Sequence, residues 1–182
     1  MSKPVVMLLL ITGTLLTVAC KKVSYHQLSE EDMTWLVYEN NQVDEFSNGS
    51  GATVKYVVGL RTKTYNDYGD VANEFTAAYF SQLNDTTALK VADSHGELRL
   101  YKQDNDALNV TLSWPHFPFH DVPINNLIPS VANINGILYP DIVIIDGSNY
   151  TNARFYNKRI WYSKSAGVVQ YEDTSGNIWV RN

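Results

Sequence analysis

Ala52-Thr53-Val54-Lys55-Tyr56-Val57-Val58-Gly59-Leu60-Arg61-Thr62-Lys63-Thr64-Tyr65 is the stretch from which the fold is read. Val54, Tyr56, Val58 and Leu60 fall on one side of it, with Lys55, Val57, Arg61 and Lys63 among the others. Near-alternation of this kind has the period of a long strand with one buried face. Upstream, Val43 and Phe46 flank a short strand, and Asn48-Gly49-Ser50-Gly51 is a strong turn signal between the two. Downstream, Asn66-Asp67-Tyr68-Gly69-Asp70 turns the chain again.

Val71 to Leu83 fits two periods. Phe75, Ala78, Tyr79 and Leu83 lie on one helical face, whereas Phe75, Ala77 and Tyr79 alternate against Glu74, Thr76 and Ala78. Flanking strands and aromatic content favour a strand. Hairpin signals then repeat: Leu89 to Ala92 before Ser94-His95-Gly96, Glu97 to Tyr101 before Asp104-Asn105-Asp106, then Ala107 to Trp114. Leu98, Leu100, Leu108, Val110, Leu112 and Trp114 mark the inward sides of an antiparallel meander. Pro115, Pro118, Pro123 and Pro129 interrupt Pro115 to Ser130, an apolar irregular region that reads as a lid or as packing for a sheet edge. Asp141-Ile142-Val143-Ile144-Ile145-Asp146 is the most β-prone stretch and is expected to be a central strand. Ile160-Trp161-Tyr162, Gly167 to Tyr171 and Ile178-Trp179-Val180 complete the sheet, with Ser175-Gly176-Asn177 as the last tight turn.

One helix is expected. In Leu28-Ser29-Glu30-Glu31-Asp32-Met33-Thr34-Trp35-Leu36, Ser29 can cap and acidic residues occupy the first turn. At about two turns it must dock to persist, with Trp35 and Leu36 plugging one end of the sheet. The predicted fold is therefore mainly β: a single curved antiparallel sheet, half-open barrel or sandwich, over residues 28–182, with one short N-terminal helix.

The first twenty residues read differently. Lys3, the apolar run from Val5 to Leu16 and the small residues up to Ala19-Cys20 have the order of a secretory signal peptide, residues 1–19. Thr12, Gly13 and Thr14 break the run short of the ~20 apolar residues of a membrane span. Leu16-Thr17-Val18-Ala19-Cys20 resembles a bacterial lipobox, with Thr17 where Leu or Val is commoner. That resemblance implies cleavage before Cys20 and lipid on its sulfur and new amino group, residues 20–27 then serving as lipidated anchor and leader. An ordinary secreted protein with a free thiol, or a retained membrane helix, are the alternatives. As the only cysteine, Cys20 closes no disulfide within the chain. The absence of Asp directly after it favours, by analogy with lipoprotein sorting, the outer membrane.

The chain carries a net charge of −5, and loss of Lys3 with the leader makes it −6. A mildly acidic body without a basic stripe argues against nucleic-acid binding. The length corresponds to one ordinary domain.

Asn135-Gly136-Ile137-Leu138-Tyr139-Pro140-Asp141-Ile142-Val143, Ile160 to Tyr171 and Gly176-Asn177-Ile178-Trp179 resemble the ending of small bacterial envelope lipoproteins, as Leu28 to Leu36 resembles their opening. The resemblance implies an envelope location and a β-rich fold, and no reaction.

Candidate chemistry is sparse. His116 and His120 stand at i and i+4 in an extended segment and can share a side as metal ligands, although Pro118 lies between them and a third ligand must come from elsewhere. Two surface histidines are the ordinary alternative. Asp104 and Asp106 have calcium-loop spacing without the Gly and Glu that complete it, so a hairpin turn accounts for them better. Trp114, Phe117, Phe119 and Tyr139 are candidates for a ligand-binding concavity, against the plainer role of aromatic core. No nucleophile elbow, phosphate loop or dinucleotide fingerprint occurs. The expected function is that of a non-enzymatic, membrane-anchored envelope lipoprotein without cofactor, binding or scaffolding an envelope protein, lipid or glycan. A carrier of apolar ligand and a hydrolase of envelope material are the two rivals.

Overall fold

A computed structural model of the chain describes residues 24–68, 71–83, 95–103, 105–115, 122–147 and 157–182. The expected signal peptide and Cys20, the expected Leu89 to Ala92 strand, Asp104, and the candidates His116, Phe117, Phe119 and His120 lie outside those residues.

Among the described residues, twelve strands form one open sheet. In chain order they are β1 (Ser24–His26), β2 (Val43–Asn48), β3 (Thr53–Tyr68), β4 (Val71–Gln82), β5 (His95–Lys102) and β6 (Leu108–Ser113). There follow β7 (Val122–Pro123), β8 (Ser130–Ile134), β9 (Ile137–Asp146), β10 (Asn157–Ser163), β11 (Gly167–Asp173) and β12 (Ile178–Arg181). In space they run β7-β6-β5-β4-β3-β2-β12-β11-β10-β9-β8, and every neighbouring pair is antiparallel. β1 stands apart from this path and pairs with β4 in parallel. The last strand, β12, is inserted between β2 and β11 and so joins the two halves of the chain. Mainly β architecture in a single antiparallel sheet is thus the observed fold, and Val71–Gln82 is a strand.

The alternation in β3 works as expected: Tyr56 and Val58 are buried, with Val54 and Leu60 packed partly against the same core. Leu98, Leu100, Val110, Leu112 and Trp114 are fully buried on the neighbouring strands. Trp114 directly follows β6, yet its ring lies 5.9 Å from that of Tyr171 on β11, six strands away in the sheet order. In a flat sheet those strands would be about 29 Å apart, at ~4.8 Å per strand. The sheet therefore curls, and its concave face closes over one core that also contains Phe46, Phe80, Val143, Ile145, Ile160 and Tyr162. A second, smaller cluster of Ile134, Ile142 and Val169 forms apart from it around β8, β9 and β11.

Four expectations are corrected. Asp141–Asp146 belongs to β9, one strand in from the edge, and is not central. Val143 and Ile145 join the main core and Ile142 the smaller cluster, while Ile144 is exposed, so burial on two sides accounts for only part of the strand's apolar run. His95 and Gly96 open β5 and are not a turn; a Cβ on Gly96 would meet Pro115 and the Ser113 carbonyl, so this glycine permits a close approach. β3 continues through Asn66 to Tyr68, pairing with Asn73 to Val71. The helix, α1, is a single turn, Glu30–Met33. Ser29 caps it reciprocally with Asp32, and Thr34 ends it.

The irregular region holds more order than its prolines suggest. Ile124 is fully buried in a 3-10 turn, Ile124–Asn126. The Asn125 side chain accepts from the Val110 N–H and donates to the Leu108 carbonyl, occupying backbone groups of β6 as a strand would.

Tyr38 fixes the other side of the core. Its buried hydroxyl accepts from the Val168 N–H at 2.6 Å, and its ring meets Phe80 at 4.9 Å. The same ring fills the space above Gly167, whose φ is +80°. Burial, first of all, pushes the Tyr38 phenol well above its ordinary value, so it stays a neutral partner.

Two outcomes are expected on denaturant unfolding. Trp114→Ala should lose about 3–5 kcal/mol, the range for a fully buried aromatic. Gly167→Ala should lose at least ~1–2 kcal/mol from its left-handed backbone, and more from displacing Tyr38; a stability equal to wild type would show that the contact does not form.

Candidate functional site

β3 and β4 meet beyond Tyr68, and we term this end of the sheet the upper rim. β1 begins there, Ser24 opposite Val71. The register brings to the same end the β5–β6 turn after Lys102, the β10–β11 turn after Ser163 and the β8–β9 hairpin, whose residues 137–141 run past the end of β10.

The segment after β1 bridges the mouth of the curl at this rim. On one side the Asp32 carboxylate meets the Lys102 ammonium of β5 at 3.0 Å. On the other, the Tyr162 hydroxyl of β10 donates to the Trp35 carbonyl, the two rings stack at 6.3 Å, and Lys164 lies over the Trp35 ring at 5.0 Å. Trp35 and Leu36 thus pack at one end of the sheet, as the sequence leads one to expect. Burial opposes ionisation of Asp32, but the Ser29 N–H, the Ser29 hydroxyl and Lys102 together outweigh it and hold the carboxyl below its ordinary value of 3.8.

Beside this bridge lies an open polar recess of about 400 Å³, lined by Asn73 of β4, Tyr101 and Lys102 of β5, and Gln103 and Asn105 of the turn. Its walls are held by local bonds. The Tyr101 hydroxyl accepts from the Asn109 amide at 2.6 Å, and Asn105 accepts from the Ala107 N–H. Asp106, at φ 61°, places its carboxylate 2.6 Å from Nδ1 of His26 on β1. Amides, a phenol and an ammonium offer donors and acceptors for a polar ligand; they do not form a nucleophile–base pair.

The sequence candidates are dispersed. Trp114 is fully buried among Phe46, Tyr56, Phe80 and Tyr171, with ring separations of 4.9 to 5.9 Å, and offers no face to a ligand. Its indole N–H meets no partner among the described residues. Tyr139 is half-buried against the smaller cluster, on a different part of the sheet. No three His, Cys, Asp or Glu side chains gather as a metal site needs among the described residues. Asp106 of the Asp-x-Asp spacing faces His26.

A serine-rich cluster also occurs. Ser163 Oγ donates to Asp141 Oδ1 at 2.6 Å and the Ser165 N–H to Oδ2 at 2.8 Å. The carboxylate closes the β10–β11 turn against β9.

The recess escaped sequence reading because its residues lie on three separate elements. The partners His26 and Asp106 are 80 residues apart. Only Ser29-x-x-Asp32 carried a local signal, that of a cap. Compared with known proteins, the chain matches no family profile, no curated protein and no solved structure.

Because its folded pKa is lowered, Asp32 contributes stability that is present above the unfolded value and lost as pH falls through the folded one. Asp32→Asn should cost ~1 kcal/mol at neutral pH, typical of a lost cap, and the gap to wild type should narrow below about pH 4 in urea midpoints.

Proposed function

We propose that this chain is a non-enzymatic lipoprotein of the bacterial cell envelope, anchored through lipid on Cys20 to the outer membrane, and that it binds or scaffolds a partner there. The observation that carries this reading is the short distance between thiol and sheet. Ser24 is already paired in β1, so residues 21–23 span at most ~13 Å between Cys20 and the upper rim. A lipidated cysteine would hold the rim next to the bilayer with little slack. Attachment by a diacylglycerol plus an amide-linked chain, as the lipobox resemblance implies, exceeds the two-signal requirement for stable anchoring.

The concave face favours a scaffold over a carrier of apolar ligand, because Trp114, Phe46, Phe80 and their neighbours already fill it. Recognition then falls to the outer surfaces and to the recess at Asn73, Tyr101, Lys102, Gln103 and Asn105, whose amide and hydroxyl lining suits a hydroxylated or amide-bearing envelope component such as a glycan or an extended peptide.

Radiolabelled palmitate should enter the wild-type protein expressed in a bacterium with lipoprotein processing, and the Cys20→Ala form should carry no label and leave the membrane fraction. An unlabelled wild type, or a Cys20→Ala form that still sediments with membranes, would contradict the reading.

A further inference from the structure

The β8–β9 hairpin, Ser130–Asp146 with its tip at Asn135-Gly136, is unlike the rest of the surface. Between Asp121 and Asp141 the sequence holds no charged side chain, in a chain of net charge −5. Leu138 is 66% exposed, Val131 66% and Ile137 55%. Residues paired directly across a hairpin share a face, and Leu138 pairs with Asn133 while Ile137 pairs with Ile134. Leu138 and Ile137, adjacent in β9, therefore point to opposite faces near the tip. β8 itself holds no charged residue, whereas the opposite edge, β7, is two residues long and contains Pro123. An apolar, uncharged projection exposed on both faces is costly in water, at ~25 cal/mol per Å² of apolar surface.

Its position supplies the occupant. The hairpin tip and Ser24 lie at the same end of the sheet, and β1 runs parallel to β4, descending from that end. At most about 13 Å of chain then connects this end to Cys20. Tyr25, 65% exposed, and Tyr65, 43% exposed, pack edge-to-face at 6.4 Å on this rim. Tyrosines with apolar bodies and polar tips are the side chains favoured at the boundary between headgroups and hydrocarbon. Glu30 and Glu31 of α1, exposed on the bridge, offset the charges of Lys21 and Lys22 next to the anchor, so these four residues give no net pull toward an anionic lipid face, and the hairpin is neutral.

We propose that the upper rim is the membrane-facing end of the protein, and that the β8–β9 hairpin dips Ile137 and Leu138 into the interfacial layer of a zwitterionic lipid surface. This rests on the Cys20 anchor of the preceding section and adds an orientation to it. The lipid chain then supplies attachment, while the hairpin sets which end faces the bilayer and leaves the β11–β12 turn, Thr174-Ser175-Gly176, pointing away.

The test uses the full chain purified from membranes and reconstituted in phosphatidylethanolamine–phosphatidylcholine vesicles. Leu138→Cys and, separately, Ser175→Cys carry an environment-sensitive thiol dye, and the vesicles contain a lipid-borne quencher. Circular dichroism matching wild type establishes that each variant is folded. The dye at 138 should shift to the blue and be quenched several-fold more than the dye at 175. Equal, weak quenching at both positions would overturn the orientation, and self-quenching at 138 without lipid quenching would assign the edge to a second copy of the chain instead. Labelling stoichiometry reads the anchor separately: one dye per chain means that Cys20 is blocked by lipid, and two dyes per chain mean that the anchor reading itself has failed.

Discussion

The contact between Trp114 and Tyr171 is the constraint from which the rest of the architecture follows. A sheet of twelve strands cannot bury one face while it lies flat, and strongly twisted open sheets of that width curl or split. Here the indole reaches from the end of β6 to a ring on β11, drawing the two halves around a shared interior of Phe46, Tyr56, Phe80 and Trp114. Aromatic side chains fill that interior with few residues, since each buries roughly 150–250 Å². Burial, the largest cause, raises the phenols of Tyr56, to about 12, and of Tyr171, so both remain neutral in the core; the Tyr56 and Tyr171 hydroxyls lie 3.4 Å apart.

Curling leaves a mouth between β5 and β10, and the N-terminal segment crosses it with polar contacts at both ends. Asp32 with Lys102 grips one side; the Trp35 carbonyl with Tyr162, and Tyr38 with the Val168 N–H, grip the other. The single-turn helix could not persist alone. It is stable because the curl supplies docking partners, and the curl is held because the bridge spans it. β1 begins at this same rim, so the start of the described chain, the polar recess and the uncharged hairpin lie at one end of the sheet. That convergence is the observation on which the proposed end-on arrangement at a membrane rests.

Strand identity was legible where one face meets the core and the other meets water. In β3, β5 and β6 the alternation of Tyr56 and Val58, Leu98 and Leu100, and Val110 and Leu112 is the burial pattern itself. Strand position was not legible. In β9, Val143 and Ile145 face the main core and Ile142 the smaller cluster, while Ile144 is exposed, so an unbroken apolar run marks neither a central strand nor one near the edge. Nor could sequence reveal that β12 would insert between β2 and β11, since that pairing joins residues 46–48 to 179–181 across the whole chain. Gly96 looks like a turn residue in sequence, and only the approach of Pro115 explains it. The recess was illegible for the same reason: its side chains are ordinary Asn, Gln, Tyr and Lys, brought together by strand pairing and not by spacing. The expected signal peptide, by contrast, rests entirely on local order of charge, apolar run and small residues, a reading that involves no tertiary contact.

The curl itself is open to one direct measurement. In the full chain carrying Cys20→Ser, kept in detergent, nitroxide labels at Ala107→Cys, just before β6, and Ile144→Cys, on β9, report the separation of strands that stand eight places apart in the sheet order. A curled sheet predicts a distance distribution centred below about 30 Å by pulsed electron resonance, two packed layers ~10 Å apart plus the reach of both labels. A distribution centred at or beyond about 38 Å, eight strand spacings laid flat, would contradict it.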